Sequence, residues 1–130
     1  MGYRSDVGLV LTRHGVTVLH KRLKTVNLPL SVKDDIRNLL RTADEHHKDN
    51  DTGSEVWLWN WIKWYDSEPY FFDEIKFIAD TIQSLPEKDY RFIRIGENYD
   101  DIEVDGSFWD NPFDFDIERT LSITPIAQKI

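Results

Sequence analysis

Apolar residues fall along this chain in short blocks, and the spacing inside each block predicts an element. Val7, Leu9, Val10 and Leu11 surround Gly8 in a compact run that reads as a short, largely buried strand. Val16, Leu19 and Leu23 then recur at helical spacing, which predicts a helix over 13–24 capped by Thr12, although Gly15 weakens it. Ser31 with Asp34 three residues on resembles a capping box and opens a second helix carrying Val32, Ile36, Leu39, Leu40 and Ala43 on one face. The polar stretch 44–54, with Gly53, reads as a loop. Residues 55–65 are dense in Trp, Val and Ile and give the strongest strand signal in the chain.

A third helix follows, with Asp66 or Ser67 as cap and Pro69 in its first turn. Its core face is Phe71, Phe72, Ile75, Ile78, Ala79, Ile82 and Leu85, and Pro86 ends it. Residues 90–95 form a strand stopped by Gly96, and 102–104 a short one turning at Asp105-Gly106. Phe115, Ile117, Arg119, Leu121 and Ile123 alternate with polar residues, as in a half-exposed strand over 115–123. The order β-α-α-β-α-β-β-β predicts an α+β fold. It is a single-domain two-layer sandwich over 1–130, its mixed, mostly antiparallel sheet covered by helices on one face.

Composition adds limits. A chain of 130 residues is the size of one domain, and its 13% aromatic content supplies bulk for a core. The absence of cysteine excludes disulfides and thiolate metal sites. With 16 basic and 24 acidic residues the net charge is −8, which argues against general attraction to nucleic acid or to anionic membrane. The charge is unevenly placed. Residues 1–48 carry nine bases and five acids (+4), and residues 49–130 carry seven and nineteen (−12), which together give −8. Between 97 and 118 there are nine acids and no Lys or Arg. The first residues do not read as a secretory signal, and no stretch reads as a membrane span, so the expected location is cytoplasm.

Candidate binding residues follow from these patterns. Alternation puts Trp57, Trp59, Trp61, Lys63 and Tyr65 on one face of the strand over 55–65, opposite Val56, Leu58, Asn60, Ile62 and Trp64. That aromatic row either lies open as a contact face, including one between two copies in a homodimer, or packs beneath Phe108, Trp109, Phe113 and Phe115. The acids Glu97, Asp100, Asp101, Glu103, Asp105 and Asp110 form a second candidate surface for a partner. Arg94 is placed either to anchor the acidic loop by a bidentate ion pair or to hold an anionic ligand.

Chemistry is sparser. Asp101-Ile-Glu103-Val-Asp105-Gly106 imitates a calcium loop, but its twelfth position is Pro112 rather than a bidentate Glu. His46 and His47 read as a solvated pair, and His14 and His20 fall on nearly opposite sides of their helix. No nucleophile elbow and no phosphate-binding glycine motif occurs. The sequence therefore nominates no catalytic residue, no metal ligand and no cofactor.

Three segments carry a likeness: Met1-Gly-Tyr-Arg-Ser-Asp-Val, Ile62-Lys-Trp-Tyr-Asp, and Arg94-Ile-Gly-Glu-Asn-Tyr-Asp-Asp-Ile-Glu103. On these the chain resembles a family of small acidic proteins of bacteriophages, prophages and bacteria. The resemblance implies a phage-related accessory protein in bacterial cytoplasm and carries no assigned catalytic residue. Together with the acidic and aromatic surfaces, the expectation is a non-enzymatic module that binds a host or phage protein. One form of it blocks a nucleic-acid-binding host factor by presenting carboxylates where phosphates would lie. The alternative is a small-ligand binder or enzyme with a pocket near Tyr65, Arg94 and Glu97.

Overall fold

The computed structural model describes residues 2–115. Its centre is β1 (Ser5–Leu11), antiparallel to β3 (Glu55–Ile62) on one side and to β6 (Tyr90–Gly96) on the other. β2 (Glu45–Lys48) pairs outside β3, and β7 (Ile102–Asp105) outside β6, giving the order β2-β3-β1-β6-β7 with every pairing antiparallel. Three helices, α1 (Arg13–Thr25), α2 (Leu30–Arg41) and α3 (Asp73–Ser84), cover one face. A two-stranded hairpin, β4 (Asp66–Ser67) and β5 (Tyr70–Phe71), precedes α3. The expected α+β class and antiparallel sheet are therefore present. No helix among the described residues is long and apolar enough to cross a membrane.

Register decides which side chains meet the helices. Val7 pairs with Trp59 and Arg94, Leu9 with Trp57 and Phe92, and Leu11 with Glu55 and Tyr90. Directly paired residues share a face, and Val7, Leu9, Leu11, Trp57, Trp59, Tyr90 and Phe92 all belong to the core with the helices. The other face is not bare. Val10, Val56, Arg91 and Ile93 are buried there as well. Part of the cover comes from the segment after β7, where Trp109 lies over Arg91, with the guanidinium carbon 3.5 Å from the ring centroid. Phe115 lies against Gly8 so closely that a Cβ there would run into its ring.

The helix starts show how local chemistry sets boundaries. Thr12 caps α1, its Oγ1 accepting from the Gly15 N–H at 3.2 Å. α2 starts two residues earlier than a Ser31 cap would allow, with the Pro29 carbonyl accepting from both the Val32 and Lys33 N–H groups. Ser31 makes no cap, and Asp34 pairs with Arg37 instead. α3 also departs from expectation. Residues 66–71 form the hairpin around a cis Glu68–Pro69 peptide, so the helix begins at Asp73 without a side-chain cap. Phe72 then sits outside the helix, 41% exposed, and pairs with Tyr65 rather than with the core.

Two further expectations are corrected. The stretch 44–54 is not all loop, since β2 occupies 45–48 as an edge strand exposed at every residue. A strand exposed on both faces has no apolar alternation to betray it; its pairing is made by backbone groups alone. The tryptophan strand stops alternating at Trp61, which has φ of 58°. Between the pairs Ser5–Ile62 and Val7–Trp59 the register gains one residue on β3, a bulge opposite Asp6. Asp6 holds it by accepting from the Trp61 N–H at 2.8 Å. The extra residue returns Ile62 and Trp64 to the core side and turns Trp61 outward, 58% exposed. Apart from Phe115, the strand expected over 115–123 lies outside the described residues.

Candidate functional site

The residues singled out in the sequence divide between the interior, one ion-pair network and the surface. Trp57 and Trp59 face the helices and are buried, the Trp59 Nε1–H donating to the Leu39 carbonyl at 3.0 Å. They form no open aromatic row. Only Trp61 of that row is exposed, and Tyr65 is half-buried against Phe72 with ring centroids 5.3 Å apart. A homodimer built on the row would need residues that the helices already cover.

Arg94 anchors the acidic loop. Its Nη2 and Nη1 donate to the two Asp101 oxygens at 2.7 and 3.1 Å, its Nε to Glu103 at 3.0 Å, and Nη1 also to Ser5 Oγ at 3.1 Å. The Tyr3 hydroxyl donates to Asp101 at 2.6 Å and accepts from the Asn98 N–H at 2.9 Å. Glu97 accepts from the Arg4 N–H at 2.6 Å. Hydrogen bonds from Arg94 and then from Tyr3 hold the Asp101 carboxyl at about 2, well below the ordinary carboxylate. The paired carboxylates hold the Arg94 guanidinium above its usual value, Asp101 contributing most. Asp105 stands beside Tyr90, whose phenol is pushed up to about 12, first by burial and then by that carboxylate. Asp100 and Asp110 are exposed, with Tyr99 and Trp109 beside them in the chain.

The three segments that carry the family resemblance thus meet at one end of the sheet. Residues 3–5 and 94–103 are joined by the bonds just described. Gly2 packs near Lys63 and Tyr65. Gly96 is required for this closure, because a Cβ there would overlap the Asp101 carboxylate and the Tyr3 hydroxyl.

A different site lies at the opposite end of β1, and the sequence reading did not assemble it. The last turns of α1 and α2, with β2 and β3, line a pocket of about 490 Å³. Its apolar walls are Leu23, Leu40 and Trp57. Five basic side chains surround it: His20 and Lys24 from α1, Arg37 and Arg41 from α2, and His46 from β2. The only acid lining it is Glu55. Partial negative charge at two helix C-termini helps explain Lys24 and Arg41, but it does not neutralise three clustered cations. Arg37 shares an exposed 3.3 Å contact with Asp34, and Arg41 donates to Asn38 at 2.9 Å.

β2 shapes one wall. The His46 ring stacks on Trp57, centroids 4.7 Å apart and planes 14° from parallel, and its Nε2 donates to Glu55 Oε1 at 2.7 Å. His46 is therefore part of the pocket wall, whereas His47 is exposed and meets Glu45 at 3.1 Å, as a solvated residue would. The Trp57 indole is 1% exposed, and its N–H has no acceptor among the described residues. Trp64 carries a second such N–H, and the residue also lines a cavity of about 30 Å³, room for about one water. The pocket's signal was present in the chain: His20/Lys24 and Arg37/Arg41 are both spaced four apart, so each pair lies on one helix face. No cluster of three or more His, Asp or Glu suited to a metal occurs among the described residues. Comparison with family models, curated proteins and solved structures returns no match for this chain.

Proposed function

We propose that this protein binds a small anionic molecule in the pocket between the ends of α1 and α2, without chemistry of its own. One observation carries the reading: five basic side chains surround a mostly apolar pocket whose single acid, Glu55, is already engaged by His46. Concave sites with apolar walls and a few convergent polar groups are where small ligands bind. On a chain of net charge −8, the surrounding field repels anions, so uptake depends on this local concentration of positive charge. Titration calorimetry with inorganic pyrophosphate tests it. Saturable binding should weaken with added salt and disappear in the Arg37→Ala/Arg41→Ala variant. Heat that is unsaturable, or unchanged in that variant, would sink the reading.

A second reading keeps the phage-related context: a module in bacterial cytoplasm that engages a host or phage protein in place of nucleic acid. Tyr99 favours it, being 92% exposed beside the exposed acids Glu97 and Asp100. Asp101 and Glu103 contribute less, since Arg94 already holds them. Capture from a bacterial host lysate should lose the same partner when Tyr99→Ser and Asp100→Asn are combined. A partner retained by that variant and indifferent to salt counts against this reading.

A further inference from the structure

Accepting that the pocket binds an anion, we infer that protonation of His46 switches that binding, so that the site takes up an anion at mildly acidic pH and releases it as pH rises. His46 stands where three parts of the site meet. Its ring stacks on Trp57, its Nε2–H donates to Glu55 Oε1 at 2.7 Å, and it lines the pocket together with Lys24, Arg37 and Arg41. Histidine is the side chain that gains and loses charge between about pH 5 and 8. Lysine and arginine keep theirs throughout. Of the five bases lining the pocket, only His20 and His46 therefore change charge there.

Glu55 makes the change at His46 count. Its side chain is 10% exposed, and it is the one carboxylate lining the pocket. With His46 neutral, that carboxylate carries an uncompensated negative charge in the wall and repels an incoming anion. With His46 protonated, the hydrogen bond becomes an ion pair, and the stacked indole supports the cation through its ring face. Lys24 from α1 and Arg37 and Arg41 from α2 act against the protonated ring, because like charges converge. A bound anion cancels that repulsion. Protonation thus favours the anion and the anion favours protonation, by equal amounts. The remaining charges nearby do not reverse the effect. Lys48 pairs with Glu55 in the register and shares the face of His46, adding positive charge. Glu45 and His47 point to the other face of β2 and meet each other at 3.1 Å. Asp44 accepts from the Asn60 N–H at 2.6 Å. His20 is exposed, so solvent screens its smaller contribution in the same direction.

The test is an NMR titration of the intact chain with sulfate, whose charge is constant over this range, at about pH 5.5 and about pH 8. Sulfate should bind at least about fivefold tighter at the lower pH, a step of about 1 kcal/mol. His46→Gln keeps a donor for Glu55 but carries no charge, and should remove most of that difference. In the wild type, saturating sulfate should move the midpoint of the His46 ring titration upward by about 0.7 pH unit, the same coupling seen from the other side. Equal affinity at the two pH values, an unmoved His46 midpoint, or a pH effect that survives His46→Gln overturns the switch and leaves anion binding standing. Absence of saturable binding at both pH values overturns the anion reading itself. The wild-type titrations separate these outcomes, so a variant that folds poorly does not obscure them.

Discussion

At the N-terminal end of β1, one guanidinium meets two carboxylates, a hydroxyl and the loop that carries them, all within 3.1 Å. At the C-terminal end, three cationic side chains on two helix ends (Lys24, Arg37 and Arg41), with His20 and His46 beside them, look onto one carboxylate and an apolar wall. Both sets lie on the helix-facing side of the same sheet. In the first, each charge has a partner of opposite sign, so the charges hold the chain together. In the second, like charges converge and an indole N–H has no acceptor, so folding leaves interactions unmade. Natural chains tolerate such local conflict chiefly at functional sites. That contrast is what supports the proposal of anion binding at the basic end of an acidic protein.

The largest expected effect breaks the first region. Arg94→Ala leaves Asp101 and Glu103 facing one another without their shared cation, and should lower unfolding free energy by about 2–3 kcal/mol in a urea titration. A loss under about 0.5 kcal/mol would mean that the network is surface decoration. Gly96→Ala attacks the same closure sterically, since its Cβ would collide with Asp101 and Tyr3. The expected loss is about 1–3 kcal/mol, as for overpacked sites.

A pH series sharpens the contrast. Asp101 titrates at about 2 in the folded chain against an ordinary 3.8. A depressed carboxyl contributes stability that is fully present above its unfolded value and is lost as pH falls through the folded one. The stability difference between the wild type and Asp101→Asn should therefore stay level above about pH 4 and narrow steadily toward pH 2. A difference that is the same at pH 2 as at pH 6 would show that the Asp101 charge plays no part.

Much of the framework was legible because it rests on local pattern. The Thr12 cap, the stripe of Leu19 and Leu23, the stripe of Ile36, Leu39 and Leu40, and the strands β6 and β7 all follow from spacing within a few residues. Where tertiary choice entered, the reading went astray. Alternation correctly grouped Trp57 with Trp59, but the face that meets the helices depends on pairing with Val7 and Leu9. The bulge at Trp61 then reversed the parity for Trp64. β2 was hidden because its side chains are exposed on both faces. The acidic run looked like a single surface, yet Asp101 and Glu103 face Arg94, a pairing set by β6 against β7. The pocket needed more still, since its lining comes from four elements brought together only by the fold.

The smallest expected effect on stability separates the two regions most sharply. Removing Arg37 and Arg41 together deletes two cations, one exposed contact with Asp34 and one hydrogen bond to Asn38. Exposed pairs of this kind contribute a few tenths of a kcal/mol. Relief of repulsion among the remaining bases offsets part of that loss. The double variant should therefore unfold within about 0.5 kcal/mol of wild type, while anion binding is abolished. Arg94→Ala should do the reverse, costing stability while the folded fraction still binds. If the double variant instead lost 2 kcal/mol or more, the helix-end cations would be structural like Arg94, and the distinction between the two ends of β1 would collapse.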